Sequence, residues 1–264
     1  MSLLWCVMCW TCLIYLIDLF TIMRNLVCND RKFRRPGLVR LLFEFVFPHY
    51  CKVCGHRLDP TEDELCISCF LGMPRLDYDM DAINPTERIL LTERSLVRAA
   101  SILHYSKESD YRNILFHLKY WHHPKVGRWL ARIGASELMA KGFFEGVDCI
   151  VPLPLTRWKE LRRGYNQCMH IAKGVSKATG LSILDGAVIR KVNSGKQAGL
   201  GKYQRWRNAE GLFHVADADA LQGRHILIID DVITTGATLC SMIDTIEAAV
   251  PDIKVSVFTL ALAN

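Results

Sequence analysis

The second half of the chain alternates short apolar runs with stretches of helical periodicity. Pro152 stops one of the apolar runs, and Gly180 closes one of the helical stretches. We expect strands over 97–105, 147–151, 225–229 and 253–262, and helices over 110–119, 126–139, 165–179 and 237–249. This alternation is typical of an α/β domain with helices covering a sheet.

The N-terminal pattern differs, because residues 3–23 are apolar apart from Asp18. As a helix this segment would span about 30 Å, enough to cross a bilayer core. Basic residues follow it, so the positive-inside rule would keep the remainder in the cytoplasm, associated with the inner membrane. Two other interpretations stay open: an extension upstream of a true start at Met23, and a short amphipathic cap. A cleaved signal peptide fits poorly, because no basic n-region precedes the apolar run.

Composition excludes a disordered chain, since half of the 264 residues are hydrophobic and 33 Lys and Arg face 27 Asp and Glu. The net charge of +6 permits an anionic ligand without requiring one. We expect three regions: an apolar segment with a basic linker over 1–35, a small module over 36–80 and a main domain over 90–264.

Four of the eleven cysteines form two C-x-x-C pairs, a spacing that predicts a metal site in a reducing compartment. Two such pairs complete the tetrahedron that Zn²⁺ prefers and leave no open position, so we expect a structural zinc ribbon at Cys51, Cys54, Cys66 and Cys69. Seven carboxylates between residues 59 and 81 argue against nucleic-acid binding by this module. Three cysteines stand singly and are expected to be buried: Cys149, Cys168 and Cys240.

The most informative stretch runs from residue 225 to residue 238. An apolar strand delivers Asp230 and Asp231 to its carboxyl end, where open α/β sheets bind ligands. A bend and a helix start follow, which together predict an anion site at Thr234, Thr235, Gly236, Ala237 and Thr238. Carboxylates that accept from sugar hydroxyls beside a phosphate cradle indicate a ribose 5-phosphate.

Three other interpretations of this stretch compete with a ribose phosphate site. A Walker B strand would need a P-loop, and around Gly201-Lys202 the first glycine and the Ser/Thr are missing. A phospho-acceptor aspartate would not need a threonine-rich bend. A plain capped helix after a core strand is the remaining alternative.

The run D-D-V-I-T-T-G-A-T resembles the phosphoribosyl-pyrophosphate (PRPP) signature of type I phosphoribosyltransferases. Together with the four cysteines, V-P-L-P, R-R-G-Y-N-Q, Q-A-G-L and R-W-R-N, it makes residues 38–262 resemble the ComF family. Leu153 and Tyr165 are mild departures from that family's pattern. The resemblance implies a type I phosphoribosyltransferase-like α/β fold, with a mostly parallel sheet flanked by helices and a small N-terminal zinc ribbon.

The resemblance also implies roles for individual residues. Asp230 and Asp231 would hold the ribose hydroxyls as catalytic residues, the bend 234–238 would bind the 5-phosphate, and Mg²⁺ would accompany PRPP. The basic, glycine-containing stretch 190–209 matches the mobile loop that closes over pyrophosphate, and residues 157–167 form an anion-facing loop. The residues expected at the pyrophosphate are Lys119, Tyr120, Arg190, Lys196, Gln197, Arg205 and Arg207.

Two functions follow from the resemblance, and the residues leave both open. One is a phosphoribosyltransferase that binds PRPP and Mg²⁺ and serves the uptake or utilisation of external DNA in competence. The other is a catalytically silent PRPP-binding or scaffold protein that contacts single-stranded DNA or a DNA-uptake helicase, with Tyr203 and Trp206 available for stacking. The acceptor nucleophile and the oligomeric state are not readable from the sequence.

Overall fold

The computed structural model describes residues 48–79, 82–191 and 211–263. The chain divides into two compact units, one of Met1–Tyr50 with Arg57–Asp63 and the other of Cys51–His56 with Glu64–Asn264. In the first unit, Tyr50 and Arg57 form an antiparallel bridge. The second unit contains every helix and strand described below. The three regions expected from the sequence stay a prediction.

A five-stranded sheet forms the centre of the larger unit, with strand order β1-β7-β6-β2-β3 and parallel pairing between all neighbours. A separate two-stranded antiparallel ribbon pairs β4 with β5. The strands are β1 (Leu96–Tyr105), β2 (Cys149–Pro152), β3 (Ser182–Ile183), β4 (Val188–Arg190), β5 (Phe213–Val215), β6 (His225–Ile233) and β7 (Lys254–Ala263).

Helices surround the sheet, so the predicted fold class is confirmed. They are α1 (Ile67–Leu71), α2 (Pro85–Ile89), α3 (Arg112–Lys119), α4 (Pro124–Met139), α5 (Arg157–Arg163), α6 (Gln167–Thr179) and α7 (Ala237–Ala249). Helix α4 packs along α6 and against α3. The approach of α4 and α6 requires Gly174, where a Cβ would lie 2.3 Å from the Arg128 carbonyl oxygen.

The core follows from the apolar runs of the central strands. Ile226, Leu227, Ile228 and Ile229 are fully buried in β6, and most of β7 is buried beside them. Parallel strands covered on both faces must be apolar throughout, which is the pattern that the sequence shows. The three single cysteines are buried, as predicted.

Several sequence expectations need correction. The segment expected as an anion-facing loop after β2 is largely the helix α5, and Arg190 ends strand β4 rather than lying in a loop. Strand β6 continues to Ile233, so both aspartates lie inside the strand instead of following it. The short strands β3, β4 and β5 were not expected, because two or three residues carry no readable periodicity.

Two expectations fall on parts of the chain outside the described residues: the apolar segment 3–23, and the stretch 192–210 with Lys196, Gln197, Arg205 and Arg207. In the described ranges, no helix has the length and apolar character that crossing a membrane requires.

Candidate functional site

The two aspartates stand near the carboxyl end of β6, one of the inner strands of the sheet. Strand β2 ends at Pro152, opposite Ile229, so Asp230 and Asp231 extend beyond their neighbour on that side. The backbone N–H of Asp231 donates to Asp230 Oδ1 at 2.7 Å. Asp231 is only 5% exposed. The strand therefore delivers two acidic side chains to a partly covered ligand edge.

A lysine neutralises one of these carboxylates. Lys119, the last residue of α3, places its Nζ 3.0 Å from Asp231 Oδ1. Burial lowers the pKa of Lys119, but the charge of Asp231 outweighs that effect and the net pKa is raised. The second oxygen of Asp231, Oδ2, is buried without a hydrogen-bond partner among the described residues. A buried acceptor in this state is costly unless a further group binds it.

A thiol contacts the other carboxylate. Cys168, fully buried in α6, lies with its Sγ 3.5 Å from Asp230 Oδ1. Burial first, and then the charge of Asp231, raise the pKa of Asp230 to about 7. Burial likewise raises the pKa of the Cys168 thiol, which keeps it a hydrogen-bond donor. Cys168 lies in the interior, as predicted, but no pattern in the sequence indicates its contact with Asp230.

The bend after β6 is open to solvent. Thr234 and Thr235 are exposed, and α7 begins directly after Gly236, which adopts a left-handed conformation with φ 73°. A Cβ at Gly236 would lie 2.7 Å from Ile89 Cγ2, so only glycine fits there without a shift. In the described part of the chain, the peptide N–H groups of residues 234–238 donate to no other protein group. They are available to an anion at the start of a 13-residue helix.

Basic side chains collect around the diacid. Burial, and then the neighbouring charges of Arg190 and Arg163, lower the pKa of Lys159. The Arg163 guanidinium lies over the Tyr120 ring at 5.6 Å and donates to Gln167 Oε1 at 2.8 Å, while its Nε is buried without a partner among the described residues. Like charges held this close favour an anionic ligand.

The structure thus brings together most of the predicted site residues that it describes. Lys119 and Asp231 are in contact, Tyr120 lies beside Arg163, and Asp230 acts on the pKa of Arg190, which burial lowers. The functional roles of these residues stay predictions. The contact of Arg163 with the Tyr120 ring, like that of Cys168 with Asp230, has no signal in the sequence.

The four cysteines of the C-x-x-C pairs also come together. Their sulfur atoms all lie within 4.8 Å of one another, and Cys54 Sγ is 3.7 Å from Cys66 Sγ. Tetrahedral zinc with Zn–S bonds of about 2.3 Å separates its sulfurs by about 3.8 Å. The donor set and its spacing therefore fit Zn²⁺, and four protein ligands suit a structural ion.

Backbone contacts fasten this cluster to α3. Tyr111 Oη donates to the Cys69 carbonyl at 2.9 Å, and Asn113 Nδ2 donates to the Val53 carbonyl at 3.0 Å. Burial raises the pKa of the Cys51 thiol, but hydrogen bonds from backbone N–H groups lower it by more, so the net pKa is about 7. Burial followed by the neighbouring thiols raises the pKa of Cys69. A bound cation would favour the thiolate at every position.

The fold is that of a phosphoribosyltransferase-like α/β protein: a parallel sheet flanked by helices, with Asp230, Asp231 and an exposed bend at its carboxyl edge. No protein-family model matches the chain. The DNA utilization protein YhgH of Escherichia coli K12 is 27% identical over 195 residues, covering 73% of this chain and 81% of that protein.

Two relatives with competence names match shorter stretches. Competence protein F of Haemophilus influenzae is 33% identical over 93 residues, covering 35% of this chain and 41% of its own. Competence protein ComFC of Bacillus subtilis is 32% identical over 90 residues, covering 34% of each chain. The resemblance to the ComF family is thus confirmed.

Solved structures show a weaker likeness. Glutamine PRPP amidotransferase from B. subtilis is 14% identical with a TM-score of 0.35, covering 54% of this chain but only 30% of the amidotransferase. Adenine phosphoribosyltransferase from Saccharomyces cerevisiae is 18% identical with a TM-score of 0.31, covering 50% of this chain and 66% of the enzyme. No assignment rests on likeness of this size.

Proposed function

We propose that the protein binds PRPP, as its Mg²⁺ complex, at the carboxyl end of β6. One observation carries the proposal: an aspartate pair, half-buried at Asp230 and buried at Asp231, is followed within three residues by an exposed bend whose peptide N–H groups donate to no described protein group. PRPP presents the matching groups, because its ribose carries two hydroxyls beside a 5-phosphate.

The phosphate would sit on the bend. The N–H groups of residues 234–238 lie at the start of α7, where the positive end of the helix dipole stabilises negative charge. The hydroxyls of Thr234 and Thr235 are exposed at this point and add donors. Gly236 fixes the shape of the bend, because its left-handed φ and the close approach of Ile89 both require glycine.

The sugar and the pyrophosphate would contact the aspartates and the basic side chains next to the bend. Asp230 and Asp231 accept hydrogen bonds from the ribose hydroxyls, and the unpartnered Asp231 Oδ2 supplies a free acceptor. Lys119, Lys159 and Arg163 supply positive charge next to the diacid. That charge, with Mg²⁺ held by the oxygens of PRPP itself, compensates the pyrophosphate.

The reaction that suits this arrangement is transfer of the phosphoribosyl group. A nitrogen nucleophile forms a bond to C1 of the ribose while the C1–O bond breaks. Pyrophosphate leaves with the bonding electrons, and the nucleophile gives up its proton. The basic groups beside the diacid stabilise the charge that develops on the leaving group.

A role in DNA utilisation or competence is the second part of the proposal, supported by the names of the relatives. The silent alternative keeps the PRPP site as a sensor or scaffold. Pyrophosphate release from PRPP in the presence of ammonia or a panel of nucleobases separates the two, because binding without release supports the scaffold.

Calorimetry with Mg-PRPP tests the site. We expect the Asp230→Asn/Asp231→Asn variant to bind at least tenfold more weakly than the wild type. Asp185→Asn/Asp219→Asn makes the same charge change at exposed positions and should bind normally. If the diacid variant is unstable, Thr235→Val at the exposed bend gives a second measurement. Equal affinity in all of these proteins would rule out the assignment.

A further inference from the structure

The two oxygens of the Asp230 carboxylate have different surroundings. Oδ1 accepts two hydrogen bonds, one from the Asp231 backbone N–H at 2.7 Å and one from Cys168 Sγ at 3.5 Å. In the described part of the chain, no hydrogen bond reaches Oδ2. The protein therefore holds one oxygen of this carboxylate and leaves the other to a ligand.

The backbone that carries the thiol is itself fixed. Asn166, the N-cap of α6, accepts from the Cys168 N–H at 2.9 Å through Oδ1. Its Nδ2 donates to the Leu153 carbonyl just beyond β2 at 3.1 Å. Cys168 has no exposed surface, so water does not compete for the thiol. The sulfur thus reaches Asp230 from a helix start that is anchored to the neighbouring strand.

The Cys168 thiol is suited to donate a weak hydrogen bond without losing its proton. Burial, and then the charges of Asp230 and Asp231, raise its pKa well above the ordinary value. An ionised carboxylate can only accept, so the direction of the hydrogen bond is set once Asp230 loses its proton. A thiol is a weaker donor than a hydroxyl, so it orients Oδ1 without binding it strongly.

Charged groups on three elements act on Asp230. Burial, and then the charge of Asp231 on the same strand, raise the pKa of Asp230 to about 7, while Lys119 of α3 and the thiol lower it. Arg190 at the end of β4 is also within electrostatic reach of this carboxylate. Hydrogen bonds to the ionised form favour that form. Loss of the thiol would therefore keep Asp230 protonated up to a higher pH.

The neighbouring aspartate indicates independently that a ligand belongs here. The Asp231 side chain is only 7% exposed, and its Oδ2 is buried without a partner among the described residues. Its other oxygen is held by Lys119 at 3.0 Å. Each carboxylate of the pair therefore has one oxygen fixed by a group from a helix, and the second oxygen left for an incoming donor.

We propose that Cys168 is a positioning residue for Asp230: its thiol holds Oδ1, directs Oδ2 to the ligand and favours the ionised carboxylate that a sugar hydroxyl needs as its acceptor. The thiol does not contact the ligand and takes part in no covalent step. The identity of the ligand rests on the proposed function, whereas the contact between the thiol and the carboxylate does not.

Calorimetry with Mg-PRPP at a series of pH values tests the role. The affinity of the wild type should rise as Asp230 ionises. In Cys168→Ala the midpoint of that rise should move up by about 0.5 pH unit, because one hydrogen bond to the ionised form is lost. The affinity should then be about threefold lower on the acidic side of the midpoint and unchanged at alkaline pH. Cys168→Ser keeps a donor and should not move the midpoint upward.

Cys149→Ala is the matched control, because it removes the same sulfur from another fully buried position, at the start of β2. The charged groups that act on the Cys149 thiol are Arg224 and Asp148, and the aspartate pair is not among them. Both alanine variants lose core packing, but Cys149→Ala should keep the wild-type midpoint. A merely structural role of Cys168 would lower the affinity equally at every pH.

The S–H stretching band in Raman spectra tests the contact without PRPP and without any change at Cys168. A thiol that donates to an ionised carboxylate has a lower stretching frequency than one that donates to a neutral carboxyl. One component of the band should therefore move down as the pH rises through the pKa of Asp230, about 7, and Asp230→Asn should abolish the movement. Wild-type protein that shows this movement but does not bind Mg-PRPP would contradict the proposed function and support the contact.

Four results would overturn the proposal. Cys168→Ala could keep the wild-type midpoint. Cys168→Ser could move the midpoint up as far as the alanine variant does. The Cys149→Ala control could move it equally far. In the wild type, no component of the S–H band could follow the ionisation of Asp230.

Discussion

The ion pair between Lys119 and Asp231 makes a quantitative prediction. Lys119→Met keeps most of the volume of the side chain but removes its charge, so Asp231 would be left nearly buried with both oxygens short of partners. Removing one partner of a buried pair costs about 3–5 kcal/mol. The Lys119 side chain is 23% exposed, so water offsets part of the loss and we expect about 2–4 kcal/mol.

Urea unfolding followed by tryptophan fluorescence measures this cost. Asp231→Asn should also destabilise the protein, because it leaves the Lys119 cation without its partner. The double variant Lys119→Met/Asp231→Asn removes both charges and should cost at least about 1.5 kcal/mol less than the sum of the single changes. A loss below about 0.5 kcal/mol for Lys119→Met, or additive single changes, would refute the reasoning.

The remaining predictions concern pH, metal and backbone. The pKa of Asp230 is raised to about 7 in the folded protein, so the protonated carboxyl stabilises the fold. This stabilisation is complete at pH values below the ordinary pKa of aspartate and is lost as the pH rises through 7. Affinity for Mg-PRPP should instead increase from pH 6 to pH 8 in calorimetry, and Asp230→Asn should abolish that dependence. Purified protein should contain one zinc per chain by atomic emission, and Cys54→Ser should lower both the zinc content and the melting temperature; unchanged zinc would contradict the four-cysteine site. Gly236→Ala should cost about 2 kcal/mol or more in urea unfolding, because its Cβ would meet Ile89, whereas Gly180→Ala, with a similar φ and open space, should cost only about 1 kcal/mol.

The sequence predicted the long elements well, because their patterns are dictated by burial. The helix expected over 237–249 matches α7 residue for residue, and the strand expected over 97–105 differs from β1 by one residue. Helix α5 was missed as a helix because it buries nothing: Trp158 and Leu161 face solvent and give no amphipathic signal. Hydrophobic periodicity arises because one face of a helix is buried in the core, so it cannot predict a helix that buries no face.

The candidate site was only partly readable. Asp230, Asp231 and the bend are contiguous in the chain, so a local pattern revealed them. The contacts of Lys119 with Asp231 and of Cys168 with Asp230 join residues more than sixty positions apart. Such contacts depend on how α3 and α6 pack against the sheet, and one sequence carries no record of that. The resemblance pointed to Lys119, but its ion pair is a finding of the structure.

Helix α3 connects the four-cysteine cluster to the aspartate pair at the end of β6. At the start of α3, Asn113 and the nearby Tyr111 donate hydrogen bonds to backbone carbonyls around the cysteines. Lys119 is the last residue of the same helix, about 10 Å further along its axis. A helix of this length moves as a rigid body. If oxidation or loss of metal shifted the cysteine sulfurs, Lys119 at the other end of α3 would therefore move as well. Oxidation of the cluster cysteines should therefore disturb the ion pair of Lys119 with Asp231, although none of these cysteines contacts either residue.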